Sequence, residues 1–407
     1  MAKPEEHRPA VRDFNAELHA RPSLYFSGPA LVEHVALISS PSLLDQRNGQ
    51  ISFGPNDTER VKTRVEYHTE FITVTRVTIL TEEPQRWPAP ALSPSEAVNL
   101  LNVTSPTVIC QISVLVVGEA PEELGTDLAK FGFADTVASS IGAGAGQVCS
   151  DFRVRPNGWS HILLFNKELN AYRLGRMVRR IYEIETYRSM ALLSLPLVRN
   201  ITPQLAEFET KLEGLAGRNQ STPAGRHKQL LEEISELSAA IISASVQTRS
   251  RFGATAAYAK IVEERIVELR EAHVMGFQRL GVFVTRRFKP AVRTCEAASL
   301  RLEKLSDATT HLLDLLQTRV QVEIEYQNAV QIQVMAERAE TQVKIQRAVE
   351  GFSIIAISYY LIGLLKTAIE ALEHTGTRIN PFIMLGSIPV VIAVVGIALL
   401  RVKRALS

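Results

Sequence analysis

Histidines and carboxylates are the first residues in this sequence to weigh for chemistry. His68 and Glu70 stand two apart in a stretch of alternating residues, a spacing that places both on one face of a strand. His34 and His161 fall on other predicted strands, and three histidines with a carboxylate could together hold zinc or manganese. No HExxH-type spacing accompanies them, so isolated, hydrogen-bonded histidines are the plainer expectation. Glu17, His19 and Arg21 form the densest polar cluster near the N-terminus. They suit an anion or metal site, or an arm whose polar groups pin it to a sheet. The candidate metal ligands are therefore His19, His68, Glu70 and His161.

Other stretches invite chemistry and then withdraw it. Gly142-Ala143-Gly144-Ala145-Gly146 resembles a phosphate loop, yet a strand pattern follows it where a helix N-terminus is needed, and no GK[ST] ending is present. It predicts a flexible turn. Glu183, Glu185, Tyr187 and Arg188 sit on an arginine-rich helical stretch, with Glu183 and Tyr187 at i,i+4 and Arg180 and Glu183 at i,i+3. Such laddering predicts a solvated or inter-subunit ion-pair network, with a catalytic acid pair as the sharper alternative. Neither a GxSxG elbow nor a Ser-His-Asp arrangement can be picked out.

The elements that would position these residues read as α+β. Residues 61–80 alternate and are rich in β-branched and aromatic types, which fits one long strand or two bent ones; residues 107–117 are continuously apolar, as in a central buried strand. Residues 31–39 make a further strand, and 120–130 a short helix. The strongest hairpin signal is Pro156-Asn157-Gly158 between two strand patterns. Four to six strands in a mostly antiparallel sheet are expected within residues 1–170. Residues 1–30 are proline-rich and predict an extended arm with a helical turn or two over 11–20.

Helical periodicity takes over at about residue 171. Pro196 and Pro203 interrupt the first helical stretch, residues 223–284 form a second, and Pro290 marks a kink or a new start. From there no proline or glycine appears until Gly351. Val322, Ala329, Ala336 and Val343 recur at spacing seven, with Ile332 and Ala339 between them, but Glu325 and Gln346 weaken the seam. Residues 171–350 thus predict a helical stalk, as a coiled coil or as a hairpin packed back on residues 223–284.

The final segment sets the location. Residues 352–369 and 382–400 are two apolar runs of about 18–19 residues, close to the ~20 that cross a bilayer core. A membrane hairpin over 351–407 follows, with Arg401, Lys403 and Arg404 as its basic tail. The loop over 370–381 has Arg378 as its fixed cation, so the positive-inside rule puts both termini in the cytoplasm. Tyr359 and Tyr360 lie inside the first run, where a polar hydroxyl needs a protein partner or a water-filled cavity. No apolar segment opens the sequence, and the three cysteines are widely spaced, which predicts a cytosolic body with free thiols. A net charge of +2 without a basic, aromatic-interleaved stripe argues against nucleic acid as a partner.

Several blocks carry a family resemblance: Glu17-Leu18-His19-Ala20-Arg21-Pro22, His68-Thr69-Glu70-Phe71, Asp151-Phe152-Arg153, Glu183-Ile184-Glu185-Thr186-Tyr187-Arg188, Arg251-Phe252-Gly253-Ala254-Thr255 and Val349-Glu350-Gly351-Phe352-Ser353. Along nearly the whole chain the sequence resembles a bacterial family known only as domain of unknown function 3422. The resemblance implies a membrane-anchored protein with a helical C-terminal region and implies no activity. The expectation is a non-enzymatic, self-associating scaffold at the bacterial inner membrane, with the lipid bilayer and further copies of itself as partners and no cofactor. Two alternatives stand beside it. The element order is similar to CorA-type magnesium transporters, although their GMN signature is absent; a metal-dependent membrane enzyme is the other.

Overall fold

The computed structural model of the chain describes residues 23–38, 50–54, 57–101, 106–221, 223–373 and 381–406. Glu17, His19, Arg21 and Pro22, the helical turn expected over 11–20, and most of the loop expected outside the membrane lie beyond the described residues. Two compact units divide the chain: residues 1–221 with 232–313, and residues 222–231 with 314–407.

The first unit is α+β. Its strands are β1 (Ala30–Ile38), β2 (Ile51–Phe53), β3 (Val61–Tyr67), β4 (Ile72–Ile79), β5 (Thr107–Val117), β6 (Val137–Ile141), β7 (Gly146–Val154), β8 (Ser160–Asn166) and β9 (Ala272–His273). They form one sheet in the order β2-β3-β4-β1-β5-β8-β7-β6-β9, antiparallel except where β5 lies parallel to β8. The alternating stretch 61–80 is two strands, because the chain reverses at His68–Phe71, where the His68 N–H donates to the Phe71 carbonyl (2.9 Å). Asn157-Gly158 makes the predicted turn: Gly158 has φ +86° and the Asn157 side chain accepts from the Trp159 N–H. The glycine-alanine run reverses β6 into β7 as a tied turn, with the Gly142 N–H donating to the Leu269 carbonyl (2.8 Å) and Arg173 donating to the Gly142 carbonyl (3.0 Å). More strands form than the four to six expected, since β2, β6 and β9 are short and owe their pairing to neighbours rather than to pattern.

Helices cover both faces. Short helices α1 (Pro94–Leu101) and α2 (Leu124–Lys130) and the connection over 80–93 close one side, burying Leu92, Ala97, Leu124 and Leu128 against Val35, Val74, Leu115 and Leu163. On the other side lies α3 (Ala171–Leu192), started by the Asn170 side chain, which accepts from the Arg173 N–H (3.0 Å). Its Leu174, Val178, Ile181 and Ile184 share a core with Val32, Val114 and Ile162 of the sheet.

Next come α4 (Leu195–Ser221), α5 (His227–Glu268) and α6 (Leu280–Glu373). Proline placement departs from the sequence reading. Pro196 opens α4, where its missing N–H costs nothing, but Pro203 and Pro290 lie inside α4 and α6 without ending them. The real break falls at residues 269–279, where Arg270 and Gly276 adopt positive φ and β9 pairs with β6. The expected return of one long helix on another is present: residues 256–266 of α5 and 285–296 of α6 line one groove, and residues 245–249 and 299–307 line another.

In the second unit the rest of α6 is exposed at nearly every residue from 321 to 349. Helix α7 (Pro381–Leu406) ends the chain. Two membrane-length apolar helices were the expectation; among the described residues one passes by length and composition, α6, whose apolar window has mean hydropathy 1.8 and is 6% buried. The described apolar stretch of α7, Leu385–Ala398, is shorter, about 21 Å at 1.5 Å per residue against a ~30 Å core.

Gly175 marks a close approach in the first unit: a Cβ there would overlap the Leu24 carbonyl oxygen, whereas one at Gly214 meets nothing within 4 Å. Gly175→Ala should therefore cost about 1–3 kcal/mol, while Gly214→Ala in α4 should gain up to about 1 kcal/mol. Melting midpoints of the two variants check this, and shifts of the same sign would contradict it.

Candidate functional site

The blocks His68–Phe71, Glu183–Arg188 and Arg251–Thr255 meet on the α3 side of the sheet. His68 and Glu70 do not share a strand face as predicted. Both belong to the β3–β4 reversal, where the His68 ring stacks on Phe71 (4.2 Å) and Glu70 accepts from Arg251 (2.9 Å) and the Tyr258 hydroxyl (2.8 Å) of α5. Burial and the Glu70 carboxylate raise the pKa of Tyr258. Tyr187 lies between Phe71 (5.9 Å, edge-on) and Tyr258 (5.6 Å, stacked).

Beneath this turn a chain of alternating charges crosses from sheet to helices. Arg64 of β3 pairs with Glu66 (3.5 Å), and Glu66 with Arg179 of α3 (3.4 Å). Arg179 and Arg265 of α5 then grip the two oxygens of Glu183 at 2.6 and 2.5 Å. Glu268 finally takes Arg265 (3.0 Å) and Arg180 (2.8 Å). Arg64 also donates to the Tyr182 hydroxyl (3.2 Å), whose pKa burial pushes up to about 12. Arg180 thus reaches across to α5 instead of bonding Glu183 at i,i+3; the pairs lie within one chain, buried at Arg64, Glu66 and Glu183 and partly exposed at Arg180, Arg265 and Glu268. The reason is directional: Glu183 and Glu185 point into the protein, 8% and 5% exposed, and Glu185 is held by Arg188 at 2.6 Å.

His34 stands at the centre of the same face, stacked on Tyr182 (4.2 Å). Its Nδ1 lies 2.8 Å from the Thr75 hydroxyl and its Nε2 3.0 Å from the Thr186 hydroxyl. Thr186 already donates its proton to the Tyr182 carbonyl (2.8 Å), so it accepts from Nε2–H, and Nδ1 accepts from Thr75. Burial first, then His68, Arg64 and Arg179, hold the His34 pKa well below its usual value. The ring is neutral and both nitrogens are engaged. Between His34, Glu66, His68, Tyr182, Glu183 and Tyr187 the cavity is about 10 Å³, room for a single water.

The opposite face carries a second polar row, of which sequence reasoning singled out His161 and passed over Glu33 and Ser113. Glu33, Ser113 and His161 are in register across β1, β5 and β8, so His161 lies on the other side of the sheet from His34. Glu33 accepts from the Ala91 and Leu92 N–H groups (2.9 and 3.1 Å) and so pins the connection over 80–93. Its signal was a charge inside the apolar run 31–39. Trp87 of that connection lies flat on His161 (4.0 Å) and donates to Ser113 (3.1 Å). Burial pushes the Glu33 pKa up to about 7, over the opposing pull of two N–H donors and Arg76; burial and Arg155 bring His161 down to about 4. Cys110, Cys149 and Cys295 are free, and burial raises the Cys110 and Cys149 thiols to about 12, far from nucleophilic.

The sequence-predicted ligands therefore part. His68 and Glu70 share a turn, with Glu70 engaged by Arg251 and Tyr258, and His161 is beneath Trp87 on the far face. No group of three His, Cys, Asp or Glu side chains among the described residues is arranged to hold a metal ion. What the α3 face does chemically is hold α3 and α5 to the sheet through paired charges. Comparison with known families gives one match, a family described as protein of unknown function (DUF3422), over residues 6–406. No curated protein matches the chain.

Removing Glu183 would take from Arg179 and Arg265 their shortest partner and leave Arg179 with Glu66 and Arg265 with Glu268, so Glu183→Ala should cost about 1.5–3 kcal/mol. Lys289→Ala, which breaks the exposed Lys289–Glu263 pair, should cost under about 1 kcal/mol. Melting midpoints decide, and equal losses would refute the network's role.

The opposite face makes a pH prediction. Glu33, raised from 4.5 to about 7, contributes stability below pH 4.5 that is lost as pH rises to about 7. His161, lowered from 6.5 to about 4, contributes stability above pH 6.5 that is lost as pH falls to about 4. Relative to the parent, Glu33→Gln should gain stability as pH rises through the first window, and His161→Phe as pH falls through the second. Denaturation midpoints against pH, parallel for all three proteins, would contradict both.

Proposed function

The chain belongs to the DUF3422 family, and from its own chemistry we propose that it is a membrane-anchored, self-associating protein with a structural or scaffold role rather than an enzymatic one. The observation that carries this is the apolar stretch of α6: hydropathy of a membrane span, with Phe352, Ile355, Leu361 and Leu364 turned outward. In water, each large apolar side chain so exposed forgoes about 1.5–3 kcal/mol of burial; in hydrocarbon there is no such loss.

The apolar sequence of α7 supports a second crossing, completing a hairpin. Arg401, Lys403 and Arg404 then favour a cytoplasmic C-terminus, and with it a cytoplasmic first unit at a bacterial inner membrane. Free, buried thiols suit that reducing side. Self-association is supported by residues 324–349 of α6, exposed at every position beyond the contact of Glu323 with His227, since helices of this polarity need a partner to be stable. The scaffold reading follows from the α3 face, where the charges answer one another and the cavity admits a water at most.

Flotation of lysed-cell membranes through a density step tests the anchoring. Full-length protein should rise with lipid, and a chain ending before residue 350 should stay at the bottom. Full-length protein left in the detergent-free supernatant would end the proposal.

A further inference from the structure

The heptad positions of α6 do not stop where its apolar stretch begins. The series Val322, Ala329, Ala336, Val343 continues at spacing seven through Glu350 to Ile357 and Leu364. The intervening series Glu325, Ile332, Ala339, Gln346 continues to Ser353, Tyr360 and Thr367. One uninterrupted helix carries both, so the register is never lost. Outside the apolar stretch the second series includes Ile332 and Ala339, whereas inside it every member bears a hydroxyl. The second series thus inverts in part: it mixes apolar and polar residues where its surroundings are water and bears hydroxyls alone where, on the membrane reading above, its surroundings are hydrocarbon, while the first series stays apolar at Ile357 and Leu364.

That inversion is what each solvent demands of a helix–helix contact. In water, apolar side chains drive association; in lipid they gain nothing over the acyl chains, and hydroxyls and close packing hold helices together. Two of the hydroxyl positions also face the right way. At ~100° per residue, Tyr360 and Thr367 lie on the opposite side of α6 from buried Ser358 and half-buried Ile354 and Ile362. Tyr360 and Thr367 are exposed and off the covered side, whereas Ser353, next to Ile354, is itself half-buried. Tyr360 is 73% exposed at the middle of the apolar run, too deep for its hydroxyl to reach either headgroup layer. Ser353 and Thr367 donate to their own Val349 and Gly363 carbonyls (2.8 and 3.0 Å), which leaves their oxygens able to accept.

We propose that residues 322–367 of α6 form one continuous parallel seam with the same residues of a second copy of this chain. The proposal rests on the membrane reading. A second copy is the occupant because a tyrosine hydroxyl both donates and accepts, so Tyr360 can bond its own copy across the seam, while the small Ser353 and Thr367 let the two helices pack closely. An identical chain entering the same bilayer from the same side also sets every layer at its own depth. Glu325, Gln346 and Glu350 interrupt the seam and fix its register, as polar core residues do in paired helices.

The test uses full-length protein carrying donor or acceptor dyes, reconstituted in phosphatidylcholine–phosphatidylglycerol vesicles and read by energy transfer over a dilution series in lipid. The parent should associate, and Tyr360→Phe with Thr367→Ala should raise the protein-to-lipid ratio at half-association about 3- to 30-fold. Ile332→Asp, outside the apolar stretch, should weaken the same association, and Tyr359→Phe, about 100° round the helix, should leave it unchanged. No effect of the Tyr360/Thr367 change, or an equal effect of Tyr359→Phe, overturns the seam. Vesicles that float with the protein but show no energy transfer overturn it too, while sparing the membrane reading. Protein that fails to float with the vesicles removes both.

Discussion

Water sets a cost on outward-facing apolar surface, and the C-terminal part of α6 carries that surface on nearly every side. Phe352, Ile355, Tyr359, Tyr360, Leu361 and Leu364 are all exposed in a stretch with no Asp or Glu between Gly351 and Ile369. A helix apolar all round belongs in a core or in a bilayer. With 6% of its apolar window buried, no core for it is found among the described residues. The proposed location and topology, and the exposed run 324–349, all take their meaning from that one imbalance.

The first unit solves the reverse problem, keeping charge inside. Glu66, Glu183 and Glu185 are buried, and each is answered by arginine from the sheet, from α3 or from α5. Arginine suits this because its planar fork bonds two carboxylates at once, as Arg179 does with Glu66 and Glu183. Such a network adds little net stability over an apolar core of equal shape, yet it penalises any other seating of α3 and α5 on the sheet. The result is a specific mounting of two helices, and the cavity beside its charges, about 10 Å³, has room for one water.

Much of this architecture was legible in the sequence, and the failures have physical causes. Residues 107–117 and the Asn157-Gly158 hairpin announced themselves because local pattern and local turn chemistry agree. The break at 269–279 was invisible because it depends on the distant strand β6, with Gly276 its sole glycine. Pro203 misled, and Pro290 starts no new helix, since a proline within a long, packed helix can be absorbed at the loss of one hydrogen bond. In the candidate site, Glu183 was singled out but assigned to a solvated or inter-subunit network. Its partner Arg265 stands 82 residues away, and no spacing rule reaches that far. Glu33 could have been found, as a lone charge inside an apolar strand.

The central claim is that lipid, not water, surrounds residues 352–369. The most direct measurement is the collision accessibility of a nitroxide attached at Gly363, which meets no neighbour within 4 Å, in full-length protein reconstituted in vesicles. Apolar oxygen should relax the label strongly, and a water-soluble nickel chelate scarcely at all. A label that the nickel complex reaches as readily as it reaches one at exposed Gly214 would place the segment in water and contradict the account.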